Sequence, residues 1–334
     1  MTTGFTAPKL PLVSIVITAH NYGRYLGAAI ASVRAQSYRE IECVVVDDGS
    51  TDNTAALLNE MQASDPDLRV LTLPENRGQG AASRIGFKAS GGQYIVFMDA
   101  DDMLAPDFVL THVYVHLSSR IRPGLTSSDI WQTVDDRVVV STGEALNSFI
   151  RSNPPVGAGA FRAIERGPNR PWSYAEPDPT VLDSVWSVPP GRTDWCWAPM
   201  TANMFRRDAL TLVIDCDAFE RLKIGTDVYL CTGVSILSGS LLIDRAMSIY
   251  RIHGGNAGTF QAQLQNLRTV WPASELSQKA KRLLLEHFSR DMEPLSERFW
   301  NSGPLRAAIE KLRAELPDKP PAPPALAIAQ AAPS

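Results

Sequence analysis

Cysteine is scarce: the 334 residues hold four, Cys43, Cys196, Cys216 and Cys231, with no CxxC spacing. That argues against a disulfide framework or a zinc ribbon and suits buried thiols in a reducing compartment. Long apolar runs are missing too. None approaches the ~20 residues that cross a bilayer, and Met1 to Lys9 lacks the basic segment and apolar core of a secretory leader. The expectation is a soluble, cytoplasmic protein. Positive charge is not in excess: 32 Lys and Arg against 36 Asp and Glu leave a formal charge of −4. No basic stripe exists to neutralise a phosphate backbone, which excludes nucleic acid as a partner. Short basic clusters stand at Arg206-Arg207 and at Lys279 to Arg282. A solvated helix face accounts for the second, with peripheral contact at an anionic membrane face as the alternative.

The length suits one large α/β body or one domain with an appended helical piece. From Leu12 to about Leu117, short β-branched runs alternate with amphipathic segments. Strands are expected at Val13–Thr18, Ile41–Val46, Leu68–Leu73 and Tyr94–Met98. Helices are expected at Tyr25–Gln36, Thr51–Ala63 (capped by Ser50 or Asp52), Gly80–Ala89 and Pro106–Leu117. Four βα units in series imply a parallel sheet with right-handed crossovers. From Ser118 to Asp194 Pro and Gly become frequent and periodicity fades, so this stretch reads as irregular and acceptor-facing. Regular structure is expected again at Phe205–Leu212 (helix), Phe219–Gly233 (helix) and Leu241–Arg251 (strand), then in helices at Ser274–His287 and Leu305–Leu316. The Pro/Ala-rich end, Pro317 to Ser334, reads as a disordered tail.

Acidic residues gather at Asp47-Asp48, at Asp99-Ala100-Asp101-Asp102, and singly at Asp227. The first two groups end β-branched runs, so their carboxylates should meet at the carboxyl edge of neighbouring strands, where open α/β sheets bind ligands. Like charges packed that closely need a counter-ion. Mg²⁺ or Mn²⁺ shared with a substrate diphosphate supplies one. A diphosphate leaving group sheds charge as its bond breaks, so Asp101 is the expected metal ligand and Asp99 the residue that orients ribose or metal. The carboxylate of Asp48 suits the imide edge of a nucleotide base, with Thr18 and His20 alongside. The alternative for Asp47 to Ser50 is a plain turn and helix cap.

Val13-Ser14-Ile15-Val16-Ile17-Thr18-Ala19-His20-Asn21, Val45 to Asp52, Gly78-Gln79-Gly80 and Phe97 to Asp102 resemble the donor-binding half of the family 2 glycosyltransferases of the GT-A fold. The likeness continues in Pro199 to Arg207, Asp227-Val228-Tyr229-Leu230 and Tyr250 to Asn256, covering about 250 residues in order. It implies a Rossmann-like, mainly parallel sheet flanked by helices. Residues 1–117 would be the nucleotide-sugar half, 118–260 the acceptor and catalytic half, 261–316 C-terminal helices and 317–334 the tail. It also implies inverting transfer from a nucleoside-diphosphate sugar to the hydroxyl of a carbohydrate or lipid-linked acceptor in polysaccharide or glycoconjugate synthesis. By resemblance the second Asp of the first pair, Asp48, meets the uracil edge, Asn21 belongs to the donor site, and Asp227 is the catalytic base. Many relatives carry Glu before that Asp, where this chain has Thr226.

His253, before Gly254-Gly255, is expected to reach the diphosphate or the metal. Arg84 stands where the family often has Asn, and its guanidinium would pair with phosphate or lie on the surface. Trp195 and Trp197 would stack on a sugar ring or pack in the core. Three other functions compete with transfer. A dinucleotide oxidoreductase would need its Gly-rich turn after the first strand, whereas Gly78-Gln79-Gly80 follows the third. A nucleotidyltransferase would want Gly, Arg and Lys where His20-Asn21-Tyr22-Gly23 stand. A non-catalytic sugar-nucleotide-binding protein would keep Asp48 and Asp101 without needing Asp227.

Overall fold

The computed structural model describes residues 9–165, 172, 174, 178–253, 256, 273–298 and 302–316. The expected tail, 317–334, lies outside them, as do Gly254-Gly255. The chain runs β1 (Val13–Ala19), α1 (Gly23–Arg34), β2 (Ile41–Asp47), α2 (Thr54–Ser64), β3 (Leu68–Thr72), α3 (Gln79–Ala89), β4 (Tyr94–Asp99), β5 (Met103–Leu104) and α4 (Phe108–Ser118). It continues β6 (Leu125–Val134), β7 (Arg137–Val140), α5 (Glu144–Ser152), β8 (Val185–Val188), β9 (Asn203–Arg206), α6 (Arg207–Ile214), α7 (Asp217–Glu220), α8 (Thr226–Ser238), β10 (Ser240–Arg251), α9 (Ala273–Arg290), α10 (Met292–Glu297) and α11 (Gly303–Glu315).

The strands form one sheet, ordered β3-β2-β1-β4-β9-β6-β10-β5, with β7 on β6 and β8 on β10. β3, β2, β1 and β4 are parallel, as the alternating βα pattern requires. β9 then runs antiparallel between β4 and β6, and β6 pairs in parallel with β10. Strands covered on both faces by helices are apolar throughout rather than alternating. In β1 and β2, Val16, Val44 and Val46 enter one core, while Ile15, Ile17 and Val45 enter the core on the opposite face. The C-terminal helices are built into the first of these cores. Leu284 and Phe288 of α9 and Leu312 of α11 are fully buried there with the residues of α8.

The middle third corrects the expectation of irregularity. β6 is a ten-residue strand at the heart of the sheet, and α5 and β8 follow it. Its segment Ser127-Ser128-Asp129 is polar yet buried, because distant backbone satisfies it. The Ala198 N–H donates to Ser127 Oγ at 3.1 Å, and the Gly143 N–H and the Thr142 hydroxyl donate to the Asp129 carboxylate at 2.6 and 2.7 Å. The helix expected from Phe205 begins two residues later, since Asn203–Arg206 pairs as β9. The long helix expected from Phe219 starts at Thr226, after Gly225 turns the chain at φ 77°.

Candidate active site

Strand register brings the acids together. Thr18 on β1 lies opposite Asp99 on β4, and Ala19 lies opposite Asp47 on β2, so the three strand ends are level and Asp48 is one residue beyond. A cavity of about 800 Å³ opens there. Thr18, His20, Asp48, Asp99, Asp101 and Asp227 all line it. The site residues expected from three separate stretches of sequence therefore face one space.

Asp48 is buried, and its two carboxylate oxygens accept the backbone N–H groups of Arg77 and Gly78, each at 2.7 Å. The Asp48 carbonyl is 2.8 Å from His20 Nδ1, which holds the ring at the cavity wall. Asp99 accepts from the Gln79 side-chain amide at 2.8 Å, and its own N–H donates to Thr201 Oγ1 at 3.2 Å. Burial first, then the charges of Asp101 and Asp227, push its carboxyl up to about 7. Asp102 turns away from the cavity. Its carboxylate accepts the Thr201 hydroxyl at 2.6 Å, and burial with the Asp101 and Asp99 charges holds its pKa well above the usual carboxylate range.

Asp101 Oδ2 lies 3.1 Å from His253 Nε2 and 3.3 Å from the Asn256 side-chain amide. The His253 ring stacks on Tyr25 with centroids 4.5 Å apart. It is not among the residues lining the cavity, and it meets the site through the Asp101 carboxylate. Asp99, Asp101 and His253 also fail to close on one point. Among the described residues, no group of three or more His, Cys, Asp or Glu is placed to hold a metal alone. Asp99 is held at the end of β4 by Gln79, whereas Asp101 lies two residues on and is held by the end of β10. What remains fits a hard cation that takes one or two carboxylate oxygens here and its other ligands from phosphate and water. Oxygen donors of this kind suit Mg²⁺ or Mn²⁺.

Asp227 stands in the first turn of α8, where its Oδ1 accepts its neighbour Val228's N–H at 2.8 Å. Burial pushes its carboxyl up to about 6. The loop before it is tied to the start of α3, because the Gln79 and Gly80 N–H groups donate to the Lys223 and Leu222 carbonyls at 3.0 and 2.9 Å. Those contacts occupy amides at the α3 N-terminus.

Two expected donor contacts fall elsewhere. Arg84 lies outside the cavity, its guanidinium 2.8 Å from Asp215 and 2.6 Å from Glu220. Its place on α3 faces the acids of α7 and the turn before it, which claim the charge that a phosphate would have used. Asn21 is a brace, not a lining residue. At φ 61° it accepts the Thr51 and Asp52 N–H groups at 2.7 and 3.2 Å, locking the loop after β1 to the loop after β2. Of the two tryptophans, Trp197 is buried, and Trp195 is half-buried at the cavity wall. Gln79, Thr201 and Asn256 escaped the sequence reading although each stands in a motif it used. Their amide and hydroxyl groups carry no charge to draw attention.

The family model described as glycosyl transferase family 2 matches residues 14–118. An uncharacterized glycosyltransferase of Nostoc sp. is 30% identical over 245 residues, which are 73% of this chain and 66% of that protein. The chain belongs to glycosyltransferase family 2. A further relative within this similarity, the chondroitin synthase of Escherichia coli, is 38% identical over 104 residues, 31% of this chain and 15% of its own length. The chain thus spans about two thirds of the Nostoc protein and a small part of the synthase. The structure of S. aureus TarS 1–349 in complex with UDP-GlcNAc matches with a TM-score of 0.50 at 16% identity, over 91% of this chain and 84% of that one. The family 2 chain has the GT-A fold. Among its described residues no helix is long and apolar enough to cross a membrane.

Proposed function

We propose that this chain transfers a sugar from a nucleoside-diphosphate donor to an acceptor hydroxyl, with inversion, in the synthesis of a polysaccharide or glycoconjugate. The observation that carries the reading is the single cavity lined by Asp48, Asp99, Asp101 and Asp227. A bound Mg²⁺ or Mn²⁺ would stabilise the negative charge that develops on the leaving diphosphate. Asp101 would hold the cation with help from Asp99, and His253 and Asn256 would fix the carboxylate that does so. Asp48, with both oxygens already aligned by backbone amides, would read the edge of the base between Thr18 and His20. Asp227 would take the proton from the attacking hydroxyl, a role that a carboxyl raised by burial can fill near neutral pH. The E. coli relative is a chondroitin synthase and the TarS complex holds UDP-GlcNAc, which supports sugar-nucleotide chemistry in a polymer pathway.

The test is product formation. Purified protein incubated with UDP-, GDP- or dTDP-sugars and a saccharide panel should yield glycoside with Mn²⁺ or Mg²⁺ and none with chelator. Asp227→Asn should bind donor and fail to turn over. Near-normal turnover in that variant would remove Asp227 from the base role. Tight, metal-dependent donor binding with no product from any acceptor would instead favour a non-catalytic binding protein.

A further inference from the structure

We propose that Tyr25 is a positioning residue for the cation site: its ring is the seat against which the end of β10 holds Asp101, and so it sets how tightly Mn²⁺ or Mg²⁺ binds. Tyr25 does not line the cavity and acts only through Arg251 and His253. This rests on the transferase reading and adds to it a residue outside the cavity.

Asp101 lies past the end of β4, in the turn before β5, so no strand pairing fixes it. The end of β10 grips it twice. The Arg251 guanidinium donates to the Asp101 carbonyl, and the carboxylate meets His253 Nε2 at 3.1 Å and the Asn256 side-chain amide at 3.3 Å. Asn256 is itself tied to this strand, because its amide donates to the Arg251 carbonyl at 3.0 Å. Arg251 and His253 both rest on Tyr25. The His253 ring stacks on the phenol ring with centroids 4.5 Å apart and planes 24° from parallel. The Arg251 guanidinium lies 5.0 Å from the same centroid, and its Nη2 donates to the Tyr25 carbonyl at 3.1 Å.

An aromatic residue in the first turn of a helix that covers a sheet ordinarily packs into the core. Its neighbours do so: Leu26 is fully buried and Tyr22 packs against the same core, whereas Tyr25 belongs to neither core. The Tyr25 hydroxyl makes no hydrogen bond among the described residues, which leaves the ring as the part in use. The Arg24 guanidinium, 4.4 Å from the centroid, brings a second cation to it. The seat is firm. The Gly23 N–H donates to the Asp52 carboxylate at 3.2 Å, and a Cβ on Gly23 would stand 2.5 Å from Asn53 Oδ1, so the start of α1 is pressed against the loop after β2. Partners that orient a metal ligand are worth roughly 10–100-fold in metal affinity. Tyr25 acts one contact farther out, which sets its effect at the low end of that range.

The experiment titrates Mn²⁺ into wild type, Tyr25→Phe, Tyr25→Leu and the bulkier Tyr25→Met, each with UDP, GDP or dTDP. Bound cation is read from the loss of the free Mn²⁺ EPR signal, with nucleotide alone as the blank, and the melting temperature of the metal-free protein reads folding. Tyr25→Leu and Tyr25→Met should raise the Mn²⁺ dissociation constant roughly tenfold. Tyr25→Phe, which keeps the ring, should bind Mn²⁺ as the wild type does. A lower melting temperature with unaltered Mn²⁺ affinity in Tyr25→Leu and Tyr25→Met would make Tyr25 a packing residue and overturn the proposal. So would a Tyr25→Phe that loses as much affinity as Tyr25→Leu. A wild type that takes up no more Mn²⁺ than the nucleotide alone would instead remove the cation-dependent transferase reading on which the proposal stands.

Discussion

The Gly80 backbone amide donates to the Leu222 carbonyl at 2.9 Å, joining the first turn of α3 to the loop that leads into Asp227. The start of α3 and the loop before the proposed base are thus joined by main chain, with the Lys223 side chain adding a bond from its Nζ to the Arg77 carbonyl at 2.7 Å. The approach is so close that a Cβ on Gly80 would stand 2.3 Å from the Phe219 carbonyl oxygen and 2.8 Å from that of Leu222.

Gly80→Ala should therefore push the two segments apart. The expected cost is about 1–3 kcal/mol, the range for overpacking a tight contact, read by denaturant unfolding. Turnover should fall more than donor affinity, because the displaced element carries Asp227 while Asp48 and Asp101 stay just beyond the ends of β2 and β4. Equal losses in both would show that the contact serves stability alone.

Burial raises the Asp227 carboxyl to about 6, and a base works only when ionised. Transfer should rise with pH through about 6 and then level off. Asp227→Asn should lower turnover by roughly 10²–10⁴-fold with donor affinity preserved, and the residual rate should lose that pH dependence. The measurement is kcat against pH for both proteins, and an unchanged profile in the variant would assign the titration to another group.

Asp99 is raised to about 7 by burial and by the charges of Asp101 and Asp227. A carboxyl with a folded pKa above its unfolded value stabilises fully below the unfolded pKa, and that stabilisation is lost as pH rises through the folded value. Asn resembles the protonated acid and does not titrate. In nucleotide-free protein with chelator, Asp99→Asn should match the wild type near pH 4 and become progressively more stable than it between pH 4 and 7. Urea unfolding across that range checks the sign. A gap that stays constant would mean that the acids do not crowd one another.

Arg84→Ala removes a guanidinium shared by Asp215, Asp217 and Glu220 outside the cavity. The loss should be one of stability, about 1 kcal/mol given the partial exposure of its partners, with donor KM unaltered. A large rise in donor KM would return Arg84 to the phosphate role.

The first βα units were legible because β1, β4 and most of β2 are buried on both faces, so Cys43 to Val46 and Tyr94 to Met98 appear as unbroken apolar runs that stop at acids. β6 was not, because Ser127, Ser128 and Asp129 interrupt its apolar pattern and are satisfied by residues 13 to 74 positions away. No local pattern encodes such partners. The Asp pairs could be placed at strand ends from sequence alone, but which oxygens would face the cavity could not. Asp99 and Asp101 line it whereas Asp102 turns to Thr201. Arg84 misled for the same reason: its charge was visible, and the acids of α7 that neutralise it lay more than 130 residues on.

The central claim is that the clustered acids form one site completed by a cation and a sugar nucleotide. Melting temperature measured with UDP-, GDP- and dTDP-sugars, with and without Mn²⁺, tests it most directly, since a ligand that binds only the folded state stabilises it in proportion to the logarithm of its saturation. The account predicts that one donor raises the melting temperature only with the cation, that Asp101→Ala abolishes the rise, and that Asp227→Asn keeps it. A rise that is independent of metal, or that survives in Asp101→Ala, would contradict it.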